Sequence, residues 1–255
     1  MARKRERFER SDMPHDSAHR TRWAIIALVI IAIVLVLIVR LCWALAMRDS
    51  NLGDSDLSSS LAAQSTLSAP IEGYTSSSDV FTNVLLLTVD DIYSDSPTLL
   101  SAQLLSLDAT TSKGILVSLP LDSKVSNSGG ETTLSALFAS SGAAACVAPL
   151  AAAGNITVSH VVVATSDVWD EVGELKGSGV QSIVSSASGI FNSIKTDMDV
   201  GTLMDLAELV QSIGVSNFTK VDAPVSDGTL GDGTPVKALD QTQLGVAIGA
   251  LIASS

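Results

Sequence analysis

Beyond residue 48 the chain contains no arginine: all eight arginines lie within the first 48 residues, and the 207 that follow carry six lysines against 23 acids, a formal charge of −17. So acidic a stretch excludes nucleic-acid binding, which rests on Lys and Arg neutralising phosphates. It also lacks the planar guanidinium fork that grips a phosphate through two parallel hydrogen bonds. Cysteine is almost absent. Cys42 falls in an apolar run and Cys146 in an alanine-rich one, so no disulfide staples the chain and Cys146 reads as a small buried apolar residue. Histidine is as scarce: His15 and His19 sit in a basic tail and His160 in a strand-like segment, which leaves no pair for zinc and makes His160 a satisfied structural histidine. A phosphate-cradling glycine loop, a Gly-x-Ser-x-Gly elbow and a Cys-x-x-Cys motif are likewise missing.

What the chain does have is a long apolar run. Trp23 to Val39 is unbroken, and after Arg40 the run resumes from Leu41 to Met47. A transmembrane helix needs about 20 such residues, and Arg40 can snorkel to the far interface beside Trp43. A cleaved signal peptide is the rival reading, but its apolar core would be shorter and followed by small residues. Ahead of the run stand Arg3, Lys4, Arg5, Arg7, Arg10, Arg20 and Arg22. The positive-inside rule then keeps the N-terminus cytoplasmic and sends the rest outward. The expected organisation is a tail over 1–22, a single transmembrane helix over 23–47, a flexible Ser/Ala/Asp/Gly-rich extracellular stalk over 48–80 and a folded extracellular domain over 81–255.

Within that domain strand-like and helix-like stretches interleave. Thr82 to Val89 is a continuous apolar run ending in Asp90-Asp91, the pattern of a strand buried on both faces. Ala102 to Leu107 and Gly114 to Leu119 flank a turn-like Asp108-to-Lys113 segment, as in a hairpin. An Ala-rich helix is expected over 133–153, a β-branched strand over 156–164, and helices over 166–175, 179–194, 200–213 and 240–253, the last capped by Asp240. Asp227-Gly228 and Asp232-Gly233 read as turns. The sum is an α/β fold with a mixed sheet between helices.

Three segments, Asn83-Val-Leu-Leu-Leu-Thr-Val-Asp90, Ala102-Gln-Leu-Leu-Ser-Leu-Asp108 and Gly114-Ile-Leu-Val-Ser-Leu-Pro-Leu-Asp122, together with Val158-Ser-His-Val-Val-Val163, resemble the core of the LytR-CpsA-Psr family. The resemblance is densest over 81–175, looser over 179–240, and implies a three-layer α/β/α sandwich with a mixed central sheet. Members of that family move glycopolymers from undecaprenyl pyrophosphate onto peptidoglycan. It implies Asp90 and Asp122 as ligands for Mg2+. Leu99, Ser101 and Leu121 stand where the family carries Arg, Asp and Arg, Thr88 replaces a glycine, Thr133-Leu-Ser135 replaces Lys-aliphatic-Asn, and the later arginine-rich segment is missing. Lys113 and Lys124 are the nearest lysines in sequence.

Such a chain is expected to be a catalytically degenerate envelope protein. It would bind a polyprenyl-phosphate lipid or a cell-wall glycopolymer, or pair with an active paralogue at the membrane. The alternative is a working glycopolymer phosphotransferase with altered chemistry. On the topology itself, a cysteine introduced between residues 54 and 60 should react with a membrane-impermeant thiol reagent in intact cells, and one at Ser11 should not. The reverse labelling pattern would overturn the orientation.

Overall fold

The computed structural model describes residues 52–168, 193–214 and 217–254. The basic tail, the apolar run expected to span the membrane and most of the helices expected over 166–175 and 179–194 lie outside them. The elements in chain order are α1 (Ser55–Ala62), β1 (Tyr74–Ser76), β2 (Phe81–Val89), β3 (Leu99–Asp108), β4 (Lys113–Leu119), β5 (Lys124–Asn127) and β6 (Gly130–Thr133). They continue with α2 (Leu134–Gly154), β7 (His160–Thr165), β8 (Ile194–Thr196), α3 (Val200–Ile213), β9 (Phe218–Asp222), β10 (Val225–Thr229), β11 (Pro235–Leu239), α4 (Gln241–Ala247) and β12 (Leu251–Ala253).

The central sheet has the order β8-β7-β2-β3-β4-β9. β2 pairs antiparallel with β3 and parallel with β7, so the sheet is mixed. The expected hairpin is present, with Ala102 opposite Leu119 and Asp108 opposite Lys113. Its turn is held by the Asp108 carboxylate, which accepts the Thr110 and Thr111 amides at 2.8 and 3.0 Å.

Alternation along β2 divides the core in two. Leu85, Leu87 and Val89 pack into a large cluster with Leu137, Phe138, Val147 and Leu150 of α2 and Leu244 of α4. Val84 and Leu86 face a smaller cluster with Val162, Met198, Leu203 and Leu206 beside α3. Helices on both faces make the three-layer α/β/α sandwich.

α2 is long and apolar enough to cross a membrane, yet its apolarity is spent on the sheet. It turns at Gly142, whose positive φ of 76° with an extended ψ breaks the helix, and ends on Asn155 in the left-handed helical region. Cys146 is fully buried in it and burial pushes its thiol up to about 12, as expected of an inert packing residue.

Several segments differ from the sequence reading. The supposed stalk is folded from Leu52 onward: Asp54 caps α1 through the Asp56 and Leu57 amides, and Leu57 is buried in the main core. Gln64 then copies a β-ladder, donating to the Val158 carbonyl and accepting the Val158 amide, both at 2.8 Å. Asn155 likewise accepts the Ser68 amide at 2.7 Å. Side chains hold this segment, so it carries no apolar period. The last expected helix stops at Ala247, because Gly249 takes φ 81° and releases the chain into β12, which pairs with β1. Ile194 opens β8 instead of closing a helix, and the strand expected from Ile156 begins at His160. Asp227-Gly228 lies within β10, whereas Asp232-Gly233 does turn, with Gly233 at φ 88°.

Because Leu87 is fully buried between β2's neighbours and α2, Leu87→Asp should abolish cooperative thermal unfolding of the domain. An unpaired core carboxylate costs several kcal/mol against a total stability of roughly 5–15 kcal/mol. A folded Leu87→Asp protein would show that the core lies elsewhere.

Candidate functional site

β2 and β4 both run antiparallel to the β3 strand between them, so their carboxyl ends open on one edge of the sheet. Asp90 follows β2 there, and Pro120-Leu121-Asp122 follows β4. Leu99 to Ser101, at the start of β3, fill the place between. Asp90, Leu99, Ser101, Leu121 and Asp122 are therefore gathered on this edge, with the two strand ends about 10 Å apart across the intervening strand. Asp222, at the end of β9 and paired with Ser118, adds an acid that the sequence did not flag.

Each of these side chains has a local task. Asp90 is exposed, and its Oδ1 accepts the Thr98 amide at 2.7 Å and the Asp91 amide at 2.9 Å, closing the 90–98 loop. These bonds, the Thr98 amide foremost, hold its carboxyl below the ordinary 3.8. Leu99 is 6% exposed and belongs to the main core, against which Leu121 also packs half-buried. Ser101 donates its hydroxyl to Thr88 Oγ1 at 2.8 Å across the β2–β3 pair. Asp122 is exposed, and its backbone carbonyl accepts the Lys237 amide at 3.1 Å.

Lys237 is the residue that sequence reasoning missed. Its ammonium pairs with Asp227, directly opposite on the β10–β11 hairpin. Its pKa is raised by that hydrogen bond first, and also by the charges of Asp227 and Asp122. The signal was legible as two opposite charges placed symmetrically about the Asp232-Gly233 turn. Of the two lysines considered from sequence, Lys124 is paired with Glu131 at 2.7 Å. Lys113 stands opposite Asp108, at the other end of the sheet from Asp90. His160 meets Asp197 Oδ2 at 2.8 Å while Asp197 Oδ1 accepts the Val161 amide at 2.7 Å, the structural use expected of it.

The arrangement of this sheet can be compared with solved structures. TagV of B. subtilis superposes with a TM-score of 0.53 at 13% identity, over 68% of this chain and 96% of its own. The protein gbs0355 of Streptococcus agalactiae gives 0.54 at 15% identity, over 69% of this chain and 90% of its own. TagT bound to LI-WTA gives 0.50 at 14% identity, over 73% of this chain and 98% of its own. The domain has the LytR-CpsA-Psr fold. No family model matches the sequence, and no curated protein matches it either. Identity this low carries the LytR-CpsA-Psr architecture and leaves the chemistry to be argued from the residues.

On that ground the edge is rich in acids and poor in cations. No cluster of three or more His, Cys, Asp or Glu side chains capable of holding a metal occurs among the described residues. Neither of two surface cavities, one at the opposite end of β2 and one between β5, α2 and β11, is lined by Asp90 or Asp122.

The Asp90 loop titrates in a definite direction. Its folded pKa lies below the unfolded value, so the closure it supports is fully present above about pH 4 and is lost as pH falls through the lowered value. The Thr98 amide resonance should therefore shift with a midpoint below 3.8. A midpoint at or above 3.8 would mean that the carboxylate does not hold this loop in solution.

Proposed function

We propose that this chain is a membrane-anchored, extracytoplasmic envelope protein that keeps the LytR-CpsA-Psr fold without its transfer activity. In this reading it binds a polyprenyl-phosphate lipid or a wall glycopolymer, or supports an active paralogue. The observation that carries it is the fate of the arginine positions. Leu99 is 6% exposed within the main core and Leu121 packs against the same cluster. An arginine at 99 would have to bring a guanidinium into that cluster, so the position is built for packing and not for phosphate.

The magnitudes favour this reading over a working enzyme. A pyrophosphate in transfer needs fixed donors for its developing charge, and an arginine clamp in related phosphoryl transfers contributes on the order of a thousand-fold or more in rate. Here Lys237 feels the charge of Asp122, but its ammonium is already paired with Asp227. The acids at the edge would repel a doubly charged phosphate unless a metal ion came with it.

One observation favours the alternative, a phosphotransferase with altered chemistry: Asp90 and Asp122 do share one edge of the sheet. Mg2+ fits these residues only in part. Oδ1 of Asp90 is engaged by two amides, and the ion's oxygen shell would have to be completed by the substrate's phosphates. When bound, the ion would supply charge neutralisation; the chain's own part would be limited to orienting it.

Purified full-length protein, given a prenyl-pyrophosphate-linked glycan, a peptidoglycan acceptor and Mg2+, should transfer no more than a protein-free control. In cells, Asp122→Ala should leave the protein's contribution to envelope integrity unchanged. Turnover that disappears in Asp122→Ala would establish the alternative. Asp90→Ala serves less well, since it also removes the bonds that close the 90–98 loop.

A further inference from the structure

At the end of the sheet opposite the acidic edge, the amino end of β2 forms the floor of a cavity of about 280 Å3. It lies between the strap that precedes β1, the α2–β7 loop and α4. Its apolar wall includes Phe81, Ile248 and Leu251, and Ser76, Ser159 and Gln241 line the same space, the last with its Nε2 donating to the Ala152 and Ala153 carbonyls at 3.2 Å. None of the described lining residues is charged, in an outer domain whose formal charge is −17.

The floor contains polar groups that the protein does not satisfy. Asn83 is 7% exposed; its Nδ2 donates to the Thr157 carbonyl at 2.8 Å, while its Oδ1 has no partner. Ser106, 2% exposed and directly across the β2–β3 pair, presents an unpartnered Oγ. Cross-strand partners project to the same face, so Ser106 lies beside Asn83, and of the two it is Asn83 that lines the cavity. Buried polar groups are nearly always paired, and an unpaired one is destabilising. Above them, Ser159 accepts the Asn83 amide at 3.2 Å, which leaves its hydroxyl proton to donate.

We infer that this cavity is a binding site for a neutral, hydroxyl-bearing ligand, a single sugar ring or the end of an uncharged glycan. The exclusions run in both directions. An anion or a cation would be desolvated against a wall with no countercharge, and a hydrocarbon would leave the hydroxyls and amides unpaired. The volume lies near the lower bound of small-molecule sites, roughly 300 Å3, and so admits one ring and not a chain. A pyranose offers both an apolar face for Phe81 and a rim of donors and acceptors for Ser76, Ser159 and Gln241. The site is independent of the acidic edge and of the reading given to it.

Ligand-observed saturation-transfer spectroscopy on the full chain in detergent, with glucose, N-acetylglucosamine and N-acetylglucosamine 1-phosphate as probes, tests this. At least one neutral sugar should bind saturably. Its affinity should fall by about tenfold or more in Ser76→Trp, where an exposed β1 position fills the cavity mouth. Gln241→Leu, at another exposed position, should weaken the same sugar and serves if Ser76→Trp does not fold. The inference is overturned if no neutral sugar saturates, if neither variant weakens the signal, or if the phosphorylated sugar binds more tightly than its neutral counterpart. The transfer assay reads the other edge, so either result there leaves this one standing.

Discussion

The double burial of β2 is the constraint on which the rest of the structure hangs. A strand with aliphatic residues on both faces must be covered by helices on both sides and paired along both edges, or its backbone and side chains stay in contact with water. β3 and β7 satisfy the edges, and the two clusters around α2 and α3 satisfy the faces. Once β2 is fixed, the hairpin to β4 follows from a short turn. The parallel β7 follows from α2, which is long enough to return the chain across the sheet. Both ends of β2 are then placed by that pairing, and they are the two chemically distinctive places in the molecule.

At the carboxyl end the sheet delivers acids without cations. The positions there are absorbed into structure: Leu99 into the core, Ser101 into a hydroxyl bond with Thr88, and Asp90 into a loop closure. A side chain cannot serve the core and a ligand at once, and burial decides the matter for Leu99. Lys237 adds only a lysine already claimed by a surface carboxylate, a pairing of the kind worth little in stability but enough to occupy its charge.

The parts that were legible in the sequence are those carried by apolar periodicity. β2, the β3–β4 hairpin and α2 stand close to where their residue patterns put them. α3 has the expected bounds, because Asp199 caps its start and Gly214 ends it. The parts that were not legible are held by other means. Residues 52–80 contribute Leu57 and little else to the core, and Gln64 and Asn155 tie them down by side-chain bonds that leave no period. β10 is mostly exposed and the two buried residues of β11, Val236 and Leu239, stand three apart, so the hairpin lacks the alternation that would announce it. In the candidate site Asp90, Leu99, Ser101, Leu121 and Asp122 come to one edge because strand-end spacing alone brings them there. Their tasks depended on packing and loop bonds, which spacing does not encode.

The two ends of β2 differ in a way that composition alone would not suggest. The cavity at the amino end is walled by hydroxyls, amides and apolar side chains, although Asp108 and Lys113 stand at that end of the sheet, while Asp90, Asp91, Asp122 and Asp222 collect at the other. Charge near an uncharged cavity would raise the cost of dehydrating a neutral polar ligand little, but it would attract counterions and water into the space. An uncharged lining leaves a hydrogen-bonding concavity suited to such a ligand. Asn83 belongs to both stories. Its neighbours Leu85 and Leu87 carry the core, and its own amide, on the same face, ends in the cavity floor with one bond made and one unmade. The segment that determines the fold is thus also the segment that brings a buried, unpaired acceptor to a cavity lined by uncharged residues.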